Sequence, residues 1–132
     1  MKTQYSELNE LGWNDWFAQR ANCKPTESVA RVAAVDRDQL LLVDQSGHFR
    51  AKLTGRYLHH HRLSHELPCV GDWVCVEKQS ADDFGVIHTL LERRTSLRRK
   101  SAGKVMEHQM IAANVDYVLI VQSCHFDFNL NR

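Results

Sequence analysis

From Ser28 to Gly55 the sequence reads SVARVAAVDRDQLLLVDQSGHFRAKLTG, and its period is that of strands. Three short extended runs, roughly 29 to 36, 39 to 44 and 48 to 53, are separated by Arg37-Asp38 and by Asp44 to Gly47. Both breaks are short and polar, which predicts tight antiparallel hairpins. GRYLHHHRLSHELP favours neither strand nor tight turn and predicts a helix or ordered loop closed by Pro68. VGDWVCVEK then sets Trp73, Cys75 and Glu77 against Val74, Val76 and Lys78, Ala81 to Gly85 form a turn, and VIHTLLERR is the last run. Five antiparallel strands with a helical piece between the third and fourth are the pattern of an OB-fold, a small Greek-key barrel, and on pattern alone an SH3-like barrel stays open as the alternative.

The flanks differ in character. SELNELGWNDWFAQRA, from Ser6 to Ala21, predicts a short helix or helical turns docking aromatics onto the body, broken at Lys24, Pro25 and Thr26 because proline cannot continue a helix. Trp13, Trp16 and Trp73 read as core residues. Beyond the barrel, VMEHQMIAA predicts a helix, and NVDYVLIVQS is a near-continuous apolar run of the kind buried on both faces in parallel sheets. No successor strand follows, so the run reads as the opening of an α/β domain. The plan is therefore an N-terminal helical segment at 1–27, an OB-fold domain at 28–92, a basic connector at 93–114 and the start of a further domain at 115–132.

A chain of 132 residues, 43 % hydrophobic, holds one ordinary domain with its own core. No apolar run approaches the ~18 residues of a membrane span, and MKTQYSELNE has no apolar signal-peptide core, so the expected location is cytoplasmic. Cys23, Cys69, Cys75 and Cys124 form no C-x-x-C pair. They are expected to be reduced thiols that serve as small packing residues.

Charge is sorted along the chain. Residues 91 to 104, LERRTSLRRKSAGK, carry six cations against Glu92 alone, a net of +5 in a chain whose total is +1, which leaves −4 for the rest. A solvated linker normally mixes signs, whereas this run suits a polyanion, because such groups neutralise phosphates and release counterions. The candidate RNA-binding residues are Arg93, Arg94, Arg98, Arg99, Lys100 and Lys104, with Arg37, Arg56 and Arg62 as second-rank candidates in loops that flank the barrel. With the tryptophans assigned to the core, backbone and shape recognition of structured RNA is favoured over base stacking.

Other chemistries are poorly supported. SAGKV resembles the tail of a P-loop, but Arg98 stands where the first glycine belongs and Val105 where Ser or Thr belongs. His59, His60, His61 and His65 crowd one segment, yet no third ligand at a recognisable spacing completes a zinc set. No G-x-S-x-G elbow supports a hydrolase. No catalytic, nucleotide-binding or metal residue is expected in this chain.

LGWNDWFAQ, VARVAAVDRDQLLLV, PCVGDWVCVE, VIHTLLERRTSLRRKSAG and IAANVDYVLIVQS followed by FDFNLNR resemble the N-terminal part of the ribosome small-subunit-dependent GTPase A family, circularly permuted GTPases of late small-subunit maturation. The resemblance runs from about Leu11 to Arg132. It implies an OB-fold that docks on small-subunit rRNA near the decoding region, a basic connector, and the first strand of the permuted GTPase domain at about 115–122. GTP, Mg and a structural Zn are implied for the full-length family, whereas the N-K-x-D motif, the P-loop and the Cys/His zinc domain are not in this sequence, so the chain alone is expected to be inactive and to hold no cofactor. The expected partners are the small ribosomal subunit and its rRNA, with no membrane, and self-association through an orphan strand at 115–122. The alternative is a stand-alone OB-fold protein-interaction module without a nucleic-acid role.

Overall fold

The computed structural model describes residues 7–79, 84–100 and 108–124. A 3-10 turn at Leu8–Leu11 and helix α1 at Asp15–Ala18 precede strands β1 at Ser28–Val35, β2 at Leu40–Asp44 and β3 at Gly47–Leu53. Helix α2 at Gly55–His60 and a 3-10 turn at Ser64–Glu66 lead to β4 at Trp73–Gln79 and β5 at Phe84–Leu90, and then to β6 at Ser96–Lys100 and β7 at His108–Ala113.

Strands β1 to β5 close a barrel in the order β1-β2-β3-β5-β4. Closure needs β1 to serve two neighbours: Ser28 to Arg31 pair with β4 while Arg31 to Val35 pair with β2, and a register shift between Val32 and Ala34 lets the strand bend between them. The β3–β5 pair is parallel, which corrects the expectation of a wholly antiparallel unit. With α2 between β3 and β4, this is the OB-fold topology, and the SH3-like alternative is set aside.

The alternation read from the sequence sorts side chains onto two sides of the wall. Ala30, Val32, Leu42, Phe49, Ala51, Val74, Val76 and Ile87 fill the barrel. Trp73, Cys75 and Val29 face outward and are covered by Leu8, Trp13 and Phe17 from the N-terminal segment, which explains why β4 is buried on both faces. Trp13 packs edge-on against Trp73 with ring centroids 4.8 Å apart. Asn14 starts α1 by accepting from the backbone N–H groups of Trp16 and Phe17. Trp16, expected in the core, is half-buried instead and lies under the Arg20 guanidinium.

Three further expectations are corrected. The segment read as helical around VMEHQMIAA is strand over its described part: β7 pairs antiparallel with β6, setting Arg99 opposite Gln109 and Lys100 opposite His108. The cationic run is therefore half of a hairpin and not an extended arm. Residues 115–123 carry no strand pairing, and Tyr117, Leu119 and Val121 are 89 %, 90 % and 91 % exposed. Finally, Cys23 and Cys75 are joined as a disulfide across 52 residues, leaving Cys69 buried and Cys124 exposed as free thiols. Spacing gives no hint of that pair, because only barrel closure turns the outer face of β4 towards the stretch after α1. A cross-link spanning such a loop removes about 4 kcal/mol of chain entropy from the unfolded state in the simplest model.

Two residues make the barrel testable. A Cβ on Gly85 would lie 2.7 Å from Val76 Cγ2 and 3.0 Å from a Phe49 ring carbon, so Gly85→Ala should lower unfolding free energy by about 1–3 kcal/mol in urea titration. Asp44 is buried; burial works to raise its pKa, but the Lys78 ammonium at 2.7 Å and the hydroxyl and N–H of Ser46 outweigh it and hold the carboxyl below its usual range. Its stabilisation is fully present above about pH 5 and is lost as pH falls through the lowered value. Asp44→Asn should therefore be less stable at pH 7 and show a shallower loss of stability between about pH 5 and 2, measured by thermal melts across that range.

Candidate nucleic-acid interface

The turn Cys69–Asp72, at the entrance to β4, holds the hairpin in place. The Asp72 carboxylate is wholly buried, accepts from the Cys69 N–H at 2.8 Å, and is gripped by Arg93 through Nε at 2.8 Å and Nη2 at 2.7 Å. Arg93 spends two further N–H groups on the carbonyls of His65 and Leu67 at the end of the α2 connection. Hydrogen bonding to Asp72 pushes the Arg93 pKa further up, against the opposing effect of burial. Arg93 is thus withdrawn from the RNA-contacting set, since its guanidinium is committed to an internal carboxylate and two carbonyls. Burial also pushes the Cys69 thiol, beside Asp72, up to about 12, which leaves it inert as a nucleophile near neutral pH.

Asn114 completes the knot from the other side. Its backbone sits at φ 55, the left-handed region that asparagine tolerates. There its side chain donates to the Gly71 carbonyl at 3.0 Å and accepts from the Arg94 N–H at 2.8 Å, while its own N–H donates to the Thr95 carbonyl. The Ala113 N–H donates to Val70, and Gly71, at φ +93, lies so close that a Cβ there would stand 2.0 Å from the Ala113 oxygen. Arg31 ties in the third party, donating to the carbonyls of Leu11, Gly71 at 3.0 Å and Asn114 at 2.9 Å; burial lowers its pKa, opposed by Asp116 and Asp72. Arg31, Asp72 and Asn114 were not among the residues singled out from the sequence. Each is a polar residue beside a turn or on an alternating strand, and nothing local distinguishes it from an ordinary one.

On this base the hairpin presents Arg98, Arg99 and Lys100 on β6, all exposed, with Arg94 exposed just before the strand. The Arg99 guanidinium is braced by Gln109 Oε1 through Nε at 3.0 Å and Nη2 at 2.8 Å. Lys104 lies outside the described residues. The Ser64–Glu66 turn sits alongside, where the Ser64 hydroxyl donates to the His108 carbonyl at 3.3 Å. Arg56 and Arg62, both exposed, flank this histidine-rich segment. Arg37 is exposed on the β1–β2 loop, lining a groove of about 530 Å³ whose apolar wall includes Val35, Leu53, Leu58 and Pro68. It is bracketed by Asp36 and Asp38, and Asp36 is paired with Arg50, so the local charge is mixed and weaker than on β6.

Among the described residues one group of three metal-ligand types converges, Cys23, Glu27 and Cys75, with ligand atoms within 4.8 Å of one another. Both sulfurs are consumed by the disulfide, so the group offers no thiolate in this state. The histidines form no such group among the described residues. Among those residues too, no helix is long and apolar enough to cross a membrane.

The knot predicts a separation of effects. Gly71→Ala should undock the hairpin, raising amide hydrogen exchange at Ala113 and Asn114 by at least about tenfold while β2 and β3 stay protected. Asp72→Ala, which strands a buried guanidinium, should cost about 3–5 kcal/mol of global stability by denaturant titration.

No family model matches the chain. Curated relatives do. The small ribosomal subunit biogenesis GTPase RsgA of Opitutus terrae is 38 % identical over 135 residues, covering 95 % of this chain and 37 % of that protein. RsgA 2 of Vibrio vulnificus is 35 % identical over 129 residues, covering 95 % and 33 %, and RsgA 1 of Bacteroides thetaiotaomicron is 31 % identical over 134 residues, covering 100 % and 37 %. A solved structure, the circularly permuted GTPase YloQ, overlaps 58 % of this chain and 27 % of its own at TM-score 0.46 and 16 % identity. The chain spans about a third of the length of the curated relatives it matches. Matched along nearly all of its own length by protein after protein of one kind, this chain corresponds in sequence to about a third of the proteins named small ribosomal subunit biogenesis GTPase RsgA.

Proposed function

We propose that this chain is an RNA-binding OB-fold module that contacts the rRNA of the small ribosomal subunit through the β6–β7 hairpin. The observation that carries the reading is the placement of Arg98, Arg99 and Lys100, exposed on one paired strand whose base is knotted to the barrel. A strand holds neighbouring cations at fixed spacing, so their interaction with phosphates is decided before contact. Arg94, Arg56, Arg62 and Arg37 extend the contact as weaker contributors, and Lys104 continues the charged run in sequence. The names of the relatives point to the same partner.

GTP hydrolysis, with its Mg and a structural Zn, belongs to the family's longer members in this reading. The residues of this chain do not fit those groups, since its sequence holds neither a P-loop nor an N-K-x-D motif. No catalytic step is therefore assigned to it. The hairpin sits between the barrel and the 115–123 run, where it would transmit a nucleotide-dependent movement to the RNA-bound barrel. The cytoplasm, where small subunits mature, is the matching location.

Binding of the chain to purified small ribosomal subunits across a salt series tests the reading. Saturable binding whose log K falls by about 0.7–0.9 per phosphate contact per log unit of salt is expected. The triple change of Arg98, Arg99 and Lys100 to Ala should weaken binding and shallow the slope by about two to three of those units. A flat salt dependence, or no effect of the triple change, would overturn it in favour of a protein partner at the groove beside Arg37.

A further inference from the structure

The N-terminal segment is attached to the barrel differently from every strand. Among the described residues its backbone-to-backbone hydrogen bonds are local turns, such as Gly12 to Asn9, Ala18 to Asn14 and Ala21 to Phe17. Its grip on the barrel comes from aromatic packing on Trp73, from the Leu11 carbonyl on Arg31, from the Arg20–Glu92 ion pair at 3.6 Å, and from the disulfide. The two sulfurs are not equivalent. Cys75 is wholly buried in β4, whereas Cys23 is half-buried and opens on a cleft of about 280 Å³ that Lys24, Glu27 and Asp44 also line.

We propose that Cys23–Cys75 is a reversible thiol–disulfide exchange site for a small zwitterionic thiol of the glutathione class, and that it latches the N-terminal segment over β4. The Lys24 ammonium and the Glu27 carboxylate at the cleft suit a zwitterion, Asp44 being already held by Lys78 and Ser46, and access selects the sulfur. The incoming thiolate attacks Cys23 Sγ; the bond from the thiol sulfur to Cys23 forms as the Cys23–Cys75 bond breaks, and Cys75 leaves as a thiolate that takes a proton from water. A second thiol then attacks the mixed disulfide and leaves with the first as their disulfide, so two electrons and two protons pass to Cys23 and Cys75. The reverse reaction uses the small disulfide as oxidant.

Opening the latch leaves the segment on packing and on Arg31. Because Arg31 also donates to Gly71 and Asn114, loosening Leu11 loosens one of the three carbonyls that this side chain gathers at the hairpin base. Glu27 bears on the rate: its carboxylate lies within 4.8 Å of both sulfurs and opposes formation of a neighbouring thiolate in the reduced state. Removing that charge raises the thiolate fraction near neutral pH and speeds closure.

The test is a redox titration of the folded chain in reduced and oxidised glutathione, read by mass spectrometry and hydrogen exchange. The expected result is a Cys23 mixed disulfide as the intermediate and, on full reduction, exchange in residues 8–21 faster by at least about tenfold with β2 and β3 unchanged. Cys23→Ser should show that fast exchange under all conditions, and Glu27→Gln should close the latch several-fold faster with oxidised glutathione. Resistance of the bond to glutathione until the barrel itself unfolds, adduct formation at Cys75 first, or unchanged exchange in 8–21 after reduction would each overturn the proposal.

Discussion

A buried carboxylate organises this molecule. Asp72 is removed from water completely, and an ionised carboxylate in that position costs several kcal/mol unless charge and hydrogen bonds replace its hydration. The replacement is the Arg93 fork on both oxygens together with the Cys69 N–H. That requirement couples two parts of the chain far apart in sequence. The segment leaving β5 must return to the entrance of β4, and Leu91 does so too by donating to the Trp73 carbonyl at 2.9 Å. Once residue 93 is pinned, the direction of β6 is set, and Gly71 admits the Ala113 carbonyl where any side chain would collide. The end of the barrel and the base of the hairpin are one object.

The barrel was legible because its strands obey the simplest rule available. Val74 and Val76 alternate with Trp73 and Cys75, and both sets are apolar because one faces the barrel and the other faces the N-terminal aromatics. The hairpin was not legible for the opposite reason. Met, Glu, Gln and Ala are good helix formers, so residues around 108–113 favour a helix locally, and the strand they adopt is stabilised by a partner strand rich in arginine that has no strand pattern of its own. Tertiary pairing overrides propensity there. The loss of 115–123 as a strand follows the same logic, since an apolar run needs a neighbouring strand to become one, and none pairs with it among the described residues.

Charge counting failed at one residue for a reason that counting cannot repair. Arg93 and Arg94 are adjacent and chemically identical, yet one is locked to Asp72 and the other is exposed. What separates them is which side of the chain turns inward after β5, a property of the closed barrel. Cys75 is a similar case: as a small apolar residue it fits β4 whether or not a second sulfur arrives, and the sulfur that arrives comes from a segment with no strand register at all.

The knot also decides what kind of surface the cations make. A flexible arm that orders on binding loses about 1–2 kcal/mol of backbone entropy per residue, whereas β6 has lost that freedom already by pairing with β7, and Gln109 restricts the Arg99 side chain further. Preorganised cations discriminate by shape, because a polyanion whose charges do not match their spacing gains little from them. The exposed apolar run begins at the residue after Asn114, within the same set of hydrogen bonds. The run from Tyr117 to Val121 is therefore tethered to the hairpin base through Asn114 and Thr95, next to the carbonyls that Arg31 and Asn114 hold together.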